Sequence, residues 1–406
     1  MKKTHLSIGL AILLWGTSTA IGQIFSACDP CEPAACEPAC EPCEPICSPC
    51  TGLFGIRPLM STPFTFGGWV EMGIYGNGNG HGSDNGPMHT ASNQRTDFLM
   101  NQFYLYGEKE LNTRRGFDWG GRADLVYGVD GPGMQSWGDE TFDNGWGTNK
   151  HGYGMAAYQL YGTLGYGDLS VKIGKFITPI GWEESASKNN VFYSHSYCYW
   201  IEPATHTGVL ATYDVTDRFS INAGWTSGMD SFKNPDDNTA LLAGFTYALS
   251  DDATIYYWLN QGKQYNLDHE ARFNYFMQSL CLEWMLTSRF TYVLQYNVRN
   301  DNESGWVNRY SSYGINNHFL YALTDNVTTG MRVEWLRDNG GFGYVTGDKA
   351  DYWNVTLGLR WDPYKNLSIR PEVRYDWCQG GATPFGAENH ARKDQVSGGC
   401  GMLITF

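Results

Sequence analysis

The stretch Asp351-Tyr-Trp-Asn-Val-Thr-Leu-Gly-Leu-Arg-Trp-Asp362 decides the fold. Trp353, Val355, Leu357, Leu359 and Trp361 fall on one side of an extended chain. Asn354, Thr356, Gly358 and Arg360 fall on the other. Leu367 to Trp377 repeats the pattern, setting Ile369, Val373 and Tyr375 against Ser368, Arg370, Glu372, Arg374 and Asp376. A period of two, with ions on one face and Trp or Val on the other, describes a strand between a wet and a greasy compartment.

Outward from this stretch the same texture runs from Phe66 to the end of the chain, in sixteen segments. Short connections recur at Tyr166-Gly167, Val215-Thr216, Ser250-Asp251, Thr287-Ser288, Thr324-Asp325 and Pro363-Tyr364-Lys365. Between them lie longer polar loops, such as 77–98, 131–153, 178–204 and 379–393. An even strand count with short turns on one rim and long loops on the other predicts an all-β fold. It is a transmembrane antiparallel up-and-down β-barrel of about sixteen strands. A soluble sandwich would not sort its connections so regularly. Composition agrees: mean hydropathy is −0.39, yet aromatics reach 15% and charged residues are held to 17%. A soluble domain is nearer a quarter charged. The net charge of −14 argues against nucleic acid as a partner. Beyond the N-terminus no run approaches the roughly 18 apolar residues of a spanning helix.

The N-terminus reads as a secretory signal peptide over 1–22. Lys2 and Lys3 precede an apolar run from Leu6 to Trp15, and Ala20-Ile21-Gly22 supplies a cleavage point before Gln23. Lipidation at Cys28 is a weaker reading, because Phe25 stands where Leu is preferred. Residues 23–60 form a Cys/Pro-rich low-complexity segment, and 61–406 the barrel. The segment carries Cys28, Cys31, Cys36, Cys40, Cys43, Cys47 and Cys50. Its prolines exclude a helix or a central strand. Seven thiols in an exported segment suggest disulfides or a cross-link to another chain. The three C-x-x-C pairs leave metal binding as an alternative, and a segment without a role is a third.

In a barrel of this kind the inward ions carry the chemistry, since an Arg or Lys facing lipid at mid-depth costs roughly 2–4 kcal/mol. Alternation places Glu71, Glu108, Arg122, Asp124, Lys172, Glu283, Arg299, Arg332, Glu334, Arg360, Arg370, Glu372 and Arg374 on that face. Arg332, Arg360, Arg370 and Arg374 form a basic ladder on one wall, or else pair with Glu334, Glu372 and Asp376 as cross-strand neighbours. The loop from Thr178 to Ala204 is the expected constriction. It holds Glu183, Glu184, His195 and Glu202 among Trp182, Phe192, Tyr193, Tyr197, Tyr199 and Trp200. So many rings suit a loop packed inside a barrel, where acids facing a basic wall would set a transverse field. An outward loop at the rim or at a trimer interface is the competing reading. Cys198 reads as buried or idle rather than reactive.

No H-E-x-x-H, G-x-S-x-G or P-loop pattern occurs, and Gly76-Asn-Gly-Asn-Gly-His-Gly-Ser-Asp84 reads as a flexible first loop, with a single calcium-repeat-like copy as the weaker reading, rather than a phosphate cradle. The chain is therefore read as a non-enzyme without cofactor or metal. Phe406, with Ile404, Met402 and Cys400 on its face, ends the last strand on an aromatic, which looks like the signal that outer-membrane assembly machinery reads; an ordinary closing strand is the alternative.

Val171-Lys-Ile-Gly-Lys-Phe-Ile-Thr-Pro-Ile-Gly-Trp-Glu183, followed by Ser194-His195-Ser196-Tyr197, resembles the OmpL-like β-barrel porin family. Planctomycete-type members, with their Cys/Pro-rich leader, are especially similar. The resemblance covers roughly 60–406 and implies an outer-membrane porin for small hydrophilic solutes and ions, in contact with outer-membrane lipid. It names no specific solute. Analogy with sixteen-stranded porins suggests a homotrimer. The near balance of inward acids and bases leads us to expect weak ion selectivity. The alternative is a structural barrel tied through its Cys-Pro segment to a cell-envelope protein layer. A soluble secreted β-protein is a more distant one.

Overall fold

The computed structural model describes residues 63–79, 97–136, 142–232, 238–266, 271–303, 309–340, 349–386 and 392–406. The expected leader, the Cys/Pro-rich segment with its seven cysteines, and most of the Gly76–Asp84 stretch lie outside them.

The strands are β1 (Thr65–Asn77), β2 (Phe98–Lys109), β3 (Phe117–Gly128), β4 (Gly154–Tyr166), β5 (Leu169–Ile177) and β6 (Thr205–Thr216). They continue as β7 (Phe219–Met229), β8 (Thr239–Ala248), β9 (Ala253–Asn266), β10 (Ala271–Thr287) and β11 (Phe290–Glu303). The last are β12 (Arg309–Thr324), β13 (Val327–Asp338), β14 (Ala350–Tyr364), β15 (Leu367–Gly380) and β16 (Asp394–Thr405). All sixteen pair antiparallel in chain order, and β1 meets β16 to close the barrel. Closure runs from Trp69↔Thr405 to Asn77↔Ser397, and Gly68 and Phe406 exchange a pair of 3.0 Å backbone bonds at its end. A closed cylinder leaves no sheet edge unpaired, which is what a hydrocarbon surround demands.

The two faces sort as the alternation predicts. Phe66, Phe117, Tyr166, Trp225 and Leu357 point outward and are exposed. Arg332, Arg370 and Arg374 point inward and are at most 1% exposed. On the outside, Trp335, Trp353 and Trp377 stand side by side on β13, β14 and β15, with Trp353 and Trp377 stacked at 5.9 Å. Such rings belong at a membrane interface.

Several strands are longer than the alternation suggests. The reading of 252–262 and 275–286 stops short of β9 and β10, which run to Asn266 and start at Ala271. There the outward side chains include Gln261 and Lys263, both exposed, so the apolar–polar contrast ends while backbone pairing continues. The pattern marks the lipid, not the strand.

Pairing between β4 and β5 covers only Leu160↔Lys175 to Tyr166↔Leu169. Above it the two strands part, and side chains close the seam. Asp143 accepts the Ala157 N–H at 3.1 Å and the Lys175 ammonium at 3.0 Å, while Gln159 accepts the Ile177 N–H at 3.0 Å. Just beyond this point the chain turns into the barrel at Thr178.

Candidate functional site: a loop folded against the arginine wall

The segment from Thr178 to Ala204 leaves β5 and returns to β6, its ends joined by the Thr178 N–H to the Ala204 carbonyl at 2.9 Å. It contains a 3-10 turn at Ser187–Asn189 and one helical turn at Tyr197–Trp200, which Ser196 caps by accepting the Tyr199 N–H at 3.1 Å. The remainder is irregular. An irregular backbone inside a barrel must find partners away from bulk water, or each buried group carries its full desolvation cost.

The inner wall supplies those partners. Glu372 accepts the Tyr193 and Ser194 N–H groups at 2.8 and 3.2 Å, and Glu334 accepts that of Tyr197 at 2.6 Å. Arg332 donates to the Ser194 carbonyl at 2.8 Å, and Arg374 to that of His195 at 2.7 Å. Arg370 reaches the Ser187 carbonyl, Arg360 that of Lys188 and Arg299 that of Ile201, each at 3.0 Å. Gln102 donates to the Ser185 carbonyl at 2.7 Å. Charge-assisted bonds of this kind are roughly twice as strong as neutral ones.

Side chains add to the attachment. Glu183 receives Arg332 at 2.9 Å on one oxygen and the Ser196 N–H at 2.7 Å on the other. His195 and His318 lie at 3.5 and 3.6 Å from the same carboxylate. Burial works to raise the Glu183 carboxyl, but Arg332 and the two imidazoles override it and hold it well below the usual carboxylate range. Glu202 differs. Burial pushes its carboxyl well above the ordinary value, against the Asn297 and Gln295 amides that donate to it. Glu184 is raised by burial, against the Asn189 amide at 3.1 Å.

Two rings of the loop sit in gaps left by glycine. Gly330 and Gly358 are register partners on β13 and β14, and a Cβ on either would lie 2.7–2.8 Å from the Phe192 ring. Gly73 and Gly401 are partners across the closure. A Cβ on either would meet the Tyr193 side chain, at 2.7 and 2.5 Å. Farther along, Ile180, Tyr197 and Ile201 join one buried cluster with Leu210, Leu242, Trp258 and Met277 from the facing strands. The loop thus touches both sides of the lumen.

The sequence-predicted residues distribute as follows. Arg332, Glu334, Arg370, Glu372 and Arg374 come together beneath the loop, buried, with Arg360 half-buried at its margin. The cross-strand pairing also exists: Arg374 with Asp376 at 2.8 Å, Arg360 with Asp362 at 3.1 Å, and Arg370 with Glu71. Arg122 pairs with Asp124 at 2.8 Å and Glu108 at 3.1 Å, and Arg299 with Asp301 at 3.0 Å. Lys172 lies half-buried on β5, its ammonium over the Tyr161 ring at 4.6 Å. In the loop, Glu183 and Glu202 face the wall; Glu184 and His195 are half-buried. The anticipated transverse field does not arise from Glu183 and Arg332, because these charges touch. Cys198 is fully buried. Alternation alone missed the paired glycines, and it placed Glu334 and Glu372 on the inner face without revealing that they bind loop amides. Glycine recurring on the inward parity of β13 and β14 was the available signal.

The family pattern "Putative beta-barrel porin-2, OmpL-like" matches residues 63–406. Among solved structures, an anion-selective porin from Comamonas acidovorans is similar with a TM-score of 0.58 at 10% identity, covering 84% of this chain and 99% of the other. Trimeric OmpT of Vibrio cholerae gives 0.55 at 13% identity, with the same coverage. The outer membrane channel DcaP of Acinetobacter baumannii gives 0.54 at 9%, covering 84% and 97%. These likenesses show a shared fold. Among curated proteins, none matches the chain. The reading as a structural tether finds no support in the family or the neighbours, and the cysteines it relies on lie outside the described residues. By the match over 63–406, the chain belongs to the OmpL-like β-barrel porin family and is an outer-membrane channel protein.

Proposed function

We propose that the barrel passes small hydrophilic solutes and ions by passive diffusion, through a narrowing built by the loop from Thr178 to Ala204. One observation carries this reading: an irregular loop inside the barrel, its backbone bonded by buried Arg332, Arg370, Arg374, Glu334 and Glu372. A loop held so firmly sieves by size and needs no gate. Arg122, held by buried Asp124, lines the path beside it with Lys172, Arg299 and Arg360, and Glu184 and His195 stand on the loop's own face. Because most of these charges are neutralised by a neighbour, selectivity among ions is modest. The ionic groups are committed to one another and to the loop, which favours a conduit over a catalyst.

The lipid-facing rings and the strand ending at Phe406 suit insertion by outer-membrane assembly machinery. The trimeric neighbour suggests a homotrimer. Liposome swelling tests the central point. Proteoliposomes should swell in small neutral sugars at rates that fall steeply with solute mass. Rates no higher than those of empty liposomes, from folded barrel, overturn the reading.

A further inference from the structure

Aromatic rings on the outer face gather on four neighbouring strands. Trp335, Trp353 and Trp377 are register partners on β13, β14 and β15. Their ring centres lie 6.1 and 5.9 Å apart. Tyr313 extends the run at 5.6 Å from Trp335, and Tyr375 at 5.3 Å from Trp377. No other register row among the described strands holds three indoles. Scattered Trp and Tyr are ordinary at a membrane interface. A ledge of five adjacent rings in one sector is not.

The rim beyond this ledge is basic. The strands end there in the long links 339–349 and 381–393, which mark the outward-facing end of the barrel. Arg337, one same-face step beyond Trp335, donates from Nη1 to Asp351 at 2.7 Å and from Nε to Asn339 at 3.0 Å, which leaves its Nη2 for another acceptor. Asp351 also accepts the Trp335 indole N–H at 3.1 Å, so ledge and rim are joined. Lys349 and Arg392 are exposed and have no ion-pair partner among the described residues. The Lys349 carbonyl lies beside Gly380, to whose own carbonyl Lys393 donates at 2.7 Å. Among the described residues, Arg337, Lys349, Arg392 and Lys393 thus stand against Asp351 and Asp394, in a chain whose formal charge is −14.

We propose that this sector of the outer wall is a docking surface for a phosphorylated amphiphile of the outer leaflet. The acyl chains lie along the apolar face below, where Val355, Leu357 and Val373 point outward. The rings hold the molecule at the boundary of hydrocarbon and head group, and the cations take the phosphate oxygens. Charge complementarity selects this occupant, because a local excess of cations on an acidic protein favours an anionic head group. From β13 to β16 the surface spans three strand spacings, roughly 14 Å, which suits a head group with two separated phosphates. The surface is independent of what the pore passes.

Native mass spectrometry of the folded protein in nonionic detergent tests it, with lipid A, a diglucosamine lipid bearing two phosphates, as the probe. The wild type should retain lipid A and retain the dephosphorylated lipid far less. Lys349→Gln and Arg392→Gln should each weaken retention about fivefold, the worth of one cation at an anionic lipid surface. Arg392→Lys should keep most of it. Trp353→Leu, which leaves every cation in place, should weaken both lipids alike. Heat-modifiable mobility on gels checks that each variant is folded. Equal retention of the two lipids by the wild type overturns the proposal, as does unchanged affinity in the Lys349→Gln, Arg392→Gln double variant. A double variant that loses oligomer mass while keeping the lipid also overturns it, and assigns the sector to a second copy of the chain.

Discussion

Glu183 of the loop and Arg332 of the β13 wall meet at 2.9 Å, both almost fully buried. Removing one partner of such a pair strands the other charge and typically costs about 3–5 kcal/mol. Arg332→Ala should therefore free the loop while the barrel still forms. The expected outcome is larger, flickering conductance with unchanged heat-modifiable mobility on gels. Quiet steps of wild-type size would show that the pair does not hold the loop.

The glycine seats make a separate prediction. Gly358→Val should expel the Phe192 ring, whose atoms lie 2.8 Å from the position of a first side-chain carbon. Overpacking of this sort costs roughly 1–3 kcal/mol. Phe192→Ala in the same chain should remove the clash and restore the melting temperature lost by Gly358→Val alone. If the double variant is no more stable than the sum of the two single losses, the ring does not occupy that seat.

Glu202 bears a cost that grows with pH. Its folded carboxyl is raised, so it stays protonated where an unfolded chain would ionise. The unfolded state then binds fewer protons, and stability falls as pH rises above the unfolded value near ~4.3. Glu202→Gln keeps an oxygen to accept from Asn297 and Gln295 and removes the titration. At pH 8 it should unfold later in denaturant than the wild type, with the advantage shrinking toward pH 4. A variant less stable at pH 8 would mean that Glu202 is ionised and paired.

Glu183 has the opposite sign. Its folded carboxyl is depressed, so its contribution is present above the unfolded value and is lost as pH falls through the folded one. Channel noise should stay low from neutral pH to about pH 4, and rise only in stronger acid. Noise that begins near pH 6 would show that Glu183 does not set the response.

The barrel was legible because lipid outside and water inside act on every second residue, as Trp353 through Trp361 display. The loop's place was legible from its rings, since Trp182, Phe192 and Tyr197 do not suit a solvated excursion. Its attachment was not. Arg332 and Glu372 alternate like any lumen-facing ion, and nothing local distinguishes a charge that faces water from one that binds a carbonyl 138 positions away. Gly330 and Gly358 are informative only as a pair, and register makes them one.

The most direct measurement of the whole account is the current through purified, folded protein in a planar bilayer. Uniform, quiet, stepwise openings in potassium chloride, over a broad voltage range, are the predicted result. A bilayer that holds folded barrels and carries no current at any voltage would contradict it.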